Sequence, residues 1–129
     1  MRRGVAVALL ATIAAVPPGA AAKEAPDILE ILDAFVLASA AASECAEPPE
    51  ATLRDFLANF QMVATYAHRE LNDRFPDRSD AEIEEAFRQR TAHLTRRVRE
   101  VVDEDGCEAP RIRSLVRRFY ASAEWKPGR

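Results

Sequence analysis

Glycine is scarce in this chain, four residues against eight prolines in 129 positions, and aromatic residues make up only 7%. Too few turn formers remain for a many-stranded architecture, so an all-β sandwich is excluded. No glycine-rich phosphate loop, CxxC, CxxCH or zinc-finger spacing occurs, which disfavours the enzyme and cofactor classes that carry readable signatures. No cofactor is expected. The longest apolar run covers only the thirteen residues 4–16, short of the roughly 20 that cross a bilayer. What is abundant is helix-forming apolar and charged material, at 48% and 30% of the residues.

The start of the chain reads as a signal peptide. Met1-Arg2-Arg3 is basic, the apolar run follows, and Pro17, Pro18 and Gly19 lead into Ala20-Ala21-Ala22, after which cleavage is expected. A single helical domain over 23–129 would remain, without a transmembrane segment, in the periplasm or outside the cell. Cys45 is the first cysteine and lies too far from the apolar run for lipid attachment. In an exported chain the two cysteines are expected to form one bridge, Cys45 to Cys107. The bridge is expected to be structural, the alternative being a redox-active pair.

Hydrophobic spacing and end signals predict a small antiparallel bundle of about four helices, an all-α fold. Asp27 with Glu30 caps a helix over 28–44, carried by Ile28, Ile31, Leu32, Phe35 and Val36. Pro48 and Pro49 break the chain, and Thr52 with Asp55 is expected to cap a second helix over 52–74, closed near Phe75-Pro76. Ser79 with Glu82 forms the clearest capping box, opening a third helix over 80–104 that Gly106 terminates. Pro110 suits a first helical position, and Ile112, Leu115, Val116, Phe119 and Tyr120 line a fourth over 111–123. Short connections imply antiparallel neighbours.

Charge is unevenly spread. Residues 23–85 hold 5 basic and 15 acidic side chains, residues 86–129 hold 11 and 6, and sixteen of the 18 basic residues are arginine. Arginine suits bidentate pairing with carboxylate or phosphate. One reading is internal complementarity, the third and fourth helices facing the acidic ones. The other is an anion-facing surface. Arg111, Arg113, Arg117 and Arg118 surround a short amphipathic helix that carries Tyr120 and Trp125, and the basic stretch 111–126 resembles helices that lie on anionic lipid. Nucleic acid is disfavoured as a partner by export and net negative charge.

On the third helix, Arg90 and Arg97 fall within about 60° of Leu94 at 100° per residue, and His93 lies on the same flank. This column is a candidate anion or ligand groove. The alternative is that the arginines snorkel past the core and pair with carboxylates of a neighbouring helix. His68 and His93, the only histidines, are weak metal candidates with Glu70, unsupported by HxxE or HExxH spacing. Met62 and Tyr66 share a face opposite the main stripe of the second helix and either meet another helix or form a partner patch. No spacing joins a Ser or Thr to a His as nucleophile and base, so no catalytic residue is assigned.

These features predict an exported, non-catalytic binding or interaction protein, with a protein partner or an anionic surface of the envelope. The general plan of leader, two cysteines and short helices is similar to that of small periplasmic stress chaperones. That likeness implies carboxylate protonation at low pH, loosening of the bundle and exposure of Phe and Leu.

Overall fold

The computed structural model describes residues 26–126; the expected leader and its cleavage point lie outside them. Four helices follow in order: α1 (Ile28–Cys45), α2 (Glu50–Arg74), α3 (Asp80–Asp105) and α4 (Pro110–Glu124). Two of the expected caps are in place. The Asp27 carboxylate accepts from the Leu29 amide at 3.0 Å, and the Ser79 hydroxyl accepts from the Glu82 amide at 3.2 Å. These bonds satisfy amides that a helix start leaves without a partner. The Leu29 amide, followed by the Arg74 guanidinium, holds the Asp27 carboxyl below the usual carboxylate range. Arg78, followed by the Ser79 backbone, does the same for Glu82.

The start of α2 departs from expectation. The helix begins at Glu50 with Pro49 at its cap position and no side-chain cap, so Thr52 and Asp55 lie inside its first turns. Proline fixes φ near the helical value, which lets the chain enter a helix directly from an extended Pro-Pro pair. Glu50 then places a negative charge at the positive end of the helix. Gly106, with φ of 79°, ends α3, and its amide donates to the Val102 carbonyl at 2.8 Å. A Cβ is disfavoured at that φ, which is the reason for glycine here.

α1 is the hub of the bundle and packs against all three other helices. Ala38, Ala40, Ala41 and Ala42 are buried, and their small side chains allow neighbours on several sides. Ion pairs at two levels, Asp33 with Arg90 and Glu44 with Arg99, show α1 and α3 running parallel. Phe56 against Phe119, and Asn59 against the end of α4, show the same for α2 and α4. Adjacent helices in sequence are therefore antiparallel, as expected. Phe35 stacks on Phe56 at 5.4 Å and Phe56 meets Phe119 at 4.2 Å, forming the centre of the core. A second cluster joins Ala40, Ala41, Val98, Ala109 and Ile112.

α3 is fastened chiefly to α1 and approaches α2 and α4 only sparsely. Open seams therefore flank it on both sides. The Cys45–Cys107 disulfide joins the end of α1 to the turn between α3 and α4. No helix among the described residues is long and apolar enough to cross a membrane.

Candidate functional site

The arginines of α3 are used in different ways. Arg90 grips Asp33 of α1 with both arms of its fork, Nε to Oδ1 at 3.2 Å and a terminal nitrogen to Oδ2 at 2.7 Å. The Asp33 carboxylate raises the Arg90 pKa further above its ordinary value. Arg99 reaches Glu44 at 3.1 Å. Both are struts between α3 and α1. Arg97 makes no ion pair among the described residues and instead lines the seam between α3 and α4, opposite Leu37. His93 is exposed and lines no groove among those described. The expected column of Arg90, His93 and Arg97 is thus not gathered into one site, because Asp33 captures the first while Leu37, one turn along α1, offers the third no carboxylate.

The histidines do not meet over Glu70. His68 Nε2 lies 3.4 Å from Asp80 Oδ1 and its ring 6.0 Å from that of Phe87, while Glu70 accepts from Arg74 at 2.8 Å. No group of three or more His, Cys, Asp or Glu side chains is placed to hold a metal ion among the described residues.

α4 presents the opposite electrostatic picture. Ile112 is buried against α1 and α3, and Phe119 and Ala123 against α1 and α2, while Leu115 and Val116 stay half-buried, so most of the apolar stripe of the helix is spent on the core. Arg111, Arg113, Arg117 and Arg118 are exposed, and none forms an ion pair among the described residues. Tyr120 on the same helix and Trp125 at its end are 37% and 44% exposed. The end of the helix is held by Asn59 of α2, whose amide donates to the Ser122 carbonyl at 2.8 Å and the Trp125 carbonyl at 2.9 Å. Sequence reasoning missed Asn59. Its one signal is its position, a polar residue between Phe56 and Val63 on a stripe otherwise apolar.

Several grooves open on the surface of the described residues, three of them with volumes above about 300 Å³. The α3–α4 seam, about 580 Å³, carries Arg97 and Arg111 over an apolar floor. A groove of about 650 Å³ at the α2–α3 tip is lined by Leu71, Phe75 and Ile83 together with Arg78, Glu82 and Glu85. A third, about 370 Å³, lies where α4 ends and is lined by Ile31, Phe35, Val63, Tyr66 and Trp125. Tyr66 thus faces a groove, with Arg69 above its ring at 5.8 Å, while Met62 is half-buried. No protein-family model, curated protein or solved structure matches the chain.

Proposed function

We propose that this chain is a non-catalytic interaction protein of the periplasm or the extracellular space, and that α4 is the surface by which it adsorbs to anionic membrane. The observation that carries the reading is the contrast between two sets of arginines. Arg90 and Arg99 of α3 are tied to carboxylates of α1, whereas Arg111, Arg113, Arg117 and Arg118 of α4 are exposed without an ion pair among the described residues. Internal complementarity accounts for the first pair and not for the second group.

Ile112 and Phe119 are committed to the core and are not free to insert into lipid. Binding is then adsorption, with Tyr120 and Trp125 as the side chains suited to the headgroup layer. Basic residues near an anionic surface contribute about 1 kcal/mol each, so four give about 4 kcal/mol, a roughly millimolar interaction. Contacts of this kind are screened within about 8 Å at physiological ionic strength.

Cosedimentation with vesicles tests the proposal. At about 10 mM salt, where screening extends to about 30 Å, the protein is expected to pellet with vesicles rich in anionic lipid and to stay in solution with zwitterionic ones. The Arg113→Ser, Arg117→Ser, Arg118→Ser variant is expected to lose this binding. Failure of the wild type to bind, or undiminished binding by the variant, overturns the reading.

A further inference from the structure

We infer that the seam between α3 and α4 is a binding groove for a free single-chain anionic amphiphile, an alkyl carboxylate of the fatty-acid type. The alkyl chain lies along Leu37, Leu94, Val98 and Leu115, and the head group sits between Arg97 and Arg111. The inference does not rest on adsorption by α4: Arg111 is common to both surfaces, but Arg97 and the apolar floor of the seam take no part in adsorption.

The seam exists because α3 is held chiefly by α1 and only sparsely by α4. Struts at Arg90 and Arg99, with the disulfide beyond them, fix α3 on one side and leave its other flank open over Leu37. Leu94 and Val98 form a packed, buried floor, and Leu37 and Leu115 are half-buried beside them. At about 580 Å³ the groove falls within the range of about 300–1,000 Å³ typical of small-molecule sites.

Charge selects the occupant. Arg97 and Arg111 are the charged side chains lining this groove, no carboxylate lines it, and neither arginine has an ion pair among the described residues. In a chain with more acidic than basic residues, that leaves two guanidinium groups beside apolar surface with no carboxylate at ion-pair distance among the described residues. A guanidinium fork matches a carboxylate in two parallel hydrogen bonds. Ser114 adds a hydroxyl at the same wall. α4 also begins here, with Pro110 at its first position and no side-chain cap on Ala109, so the positive end of its dipole reinforces the preference for an anion. The other large grooves lack this combination. At the α2–α3 tip Arg78 is already paired with Glu82 and Glu85 adds a further carboxylate, so that groove does not favour an anion, and the groove beneath Trp125 has no charged lining.

Isothermal titration of the disulfide-bonded protein with octanoate, decanoate and dodecanoate, each below its micelle concentration, tests the inference. Saturable binding of one molecule per chain is expected, tightening by up to about fourfold per added methylene. The Arg97→Gln, Arg111→Gln variant, whose replaced side chains are exposed, is expected to bind dodecanoate at least about tenfold more weakly and dodecanol as the wild type does. Its unchanged helical circular dichroism and urea midpoint establish that the fold is kept. The Arg113→Ser, Arg117→Ser, Arg118→Ser variant is expected to bind dodecanoate normally, which separates this groove from the adsorbing face. Absence of saturable dodecanoate binding, equal affinity for dodecyltrimethylammonium, or indifference to the two glutamines overturns it.

Discussion

Replacing Asn59 with aspartate preserves the size of the side chain and exchanges its two amide donors for a carboxylate oxygen. In the native protein those donors hold the Ser122 and Trp125 carbonyls at the end of α4, on a side chain only 8% exposed. Two hydrogen bonds at about 1 kcal/mol each are lost. A buried carboxylate is also set against carbonyl oxygens at the negative end of a helix dipole, so the total reaches about 3–5 kcal/mol at pH 7. The penalty depends on pH in a defined direction. Buried and faced by two carbonyl oxygens, the introduced carboxyl has a folded pKa raised above its unfolded value of about 3.9, so the penalty is full above the folded pKa and fades as pH falls through it. Once protonated, the group donates to one of the carbonyls. Urea denaturation of oxidised protein at pH 7 and about pH 4.5, followed by circular dichroism and by the fluorescence of Trp125, the single tryptophan, reads both effects against wild type at the same pH. Asn59→Ala is the control, with a loss of about 2 kcal/mol that does not vary with pH. An Asn59→Asp protein within about 0.5 kcal/mol of wild type at pH 7, or a deficit that grows on acidification, refutes the role assigned to this side chain.

The disulfide closes a loop of 62 residues, for which chain entropy gives about 4 kcal/mol. Cys45→Ala, Cys107→Ala is therefore expected to melt roughly 15–30 °C below the oxidised protein in calorimetry, and a shift under about 5 °C contradicts the estimate. Asp27 and Glu82 have carboxyl pKa values below their ordinary ones, so the stability they add is present above the unfolded values of about 4 and is lost as pH falls through the folded values. The urea midpoint is expected to hold from pH 7 to about 5 and fall below about 4, more shallowly in Asp27→Asn, Glu82→Gln. Binding of an apolar fluorescent dye is expected to rise over the same interval. Dye binding that stays flat to about pH 2 argues against the acid-loosening behaviour of a stress chaperone.

Helix ends were readable wherever a local residue decides them. Asp27, Ser79, Gly106 and Pro110 act within one turn of their own positions, and the structure uses each as expected. Thr52 misled because it has the chemistry of a cap but stands inside a turn already started by Pro49. Partners across the fold were less accessible. Helical spacing turns Arg90 and Arg97 toward the same side, yet only the register of α1 against α3 decides that one meets Asp33 and the other lines an open seam. The looseness of α3 against α2 and α4 was hidden for the same reason, since short connections specify neighbours in sequence and not how closely they pack. Asn59 stayed illegible because its bonds run 63 and 66 residues along the chain, to carbonyls that become acceptors only when α4 ends there.

Vesicle binding as a function of salt, for wild type beside two variants, tests the assignment of α4 as the contact surface most directly. Arg90→Gln, Arg99→Gln removes struts, and Arg113→Ser, Arg117→Ser, Arg118→Ser removes exposed charge. Wild type and the strut variant are expected to bind anionic vesicles with the same steep decline as salt rises, and the α4 variant to bind weakly with a shallow one. Equal salt dependence in wild type and the α4 variant, or loss of binding in the strut variant alone, contradicts it.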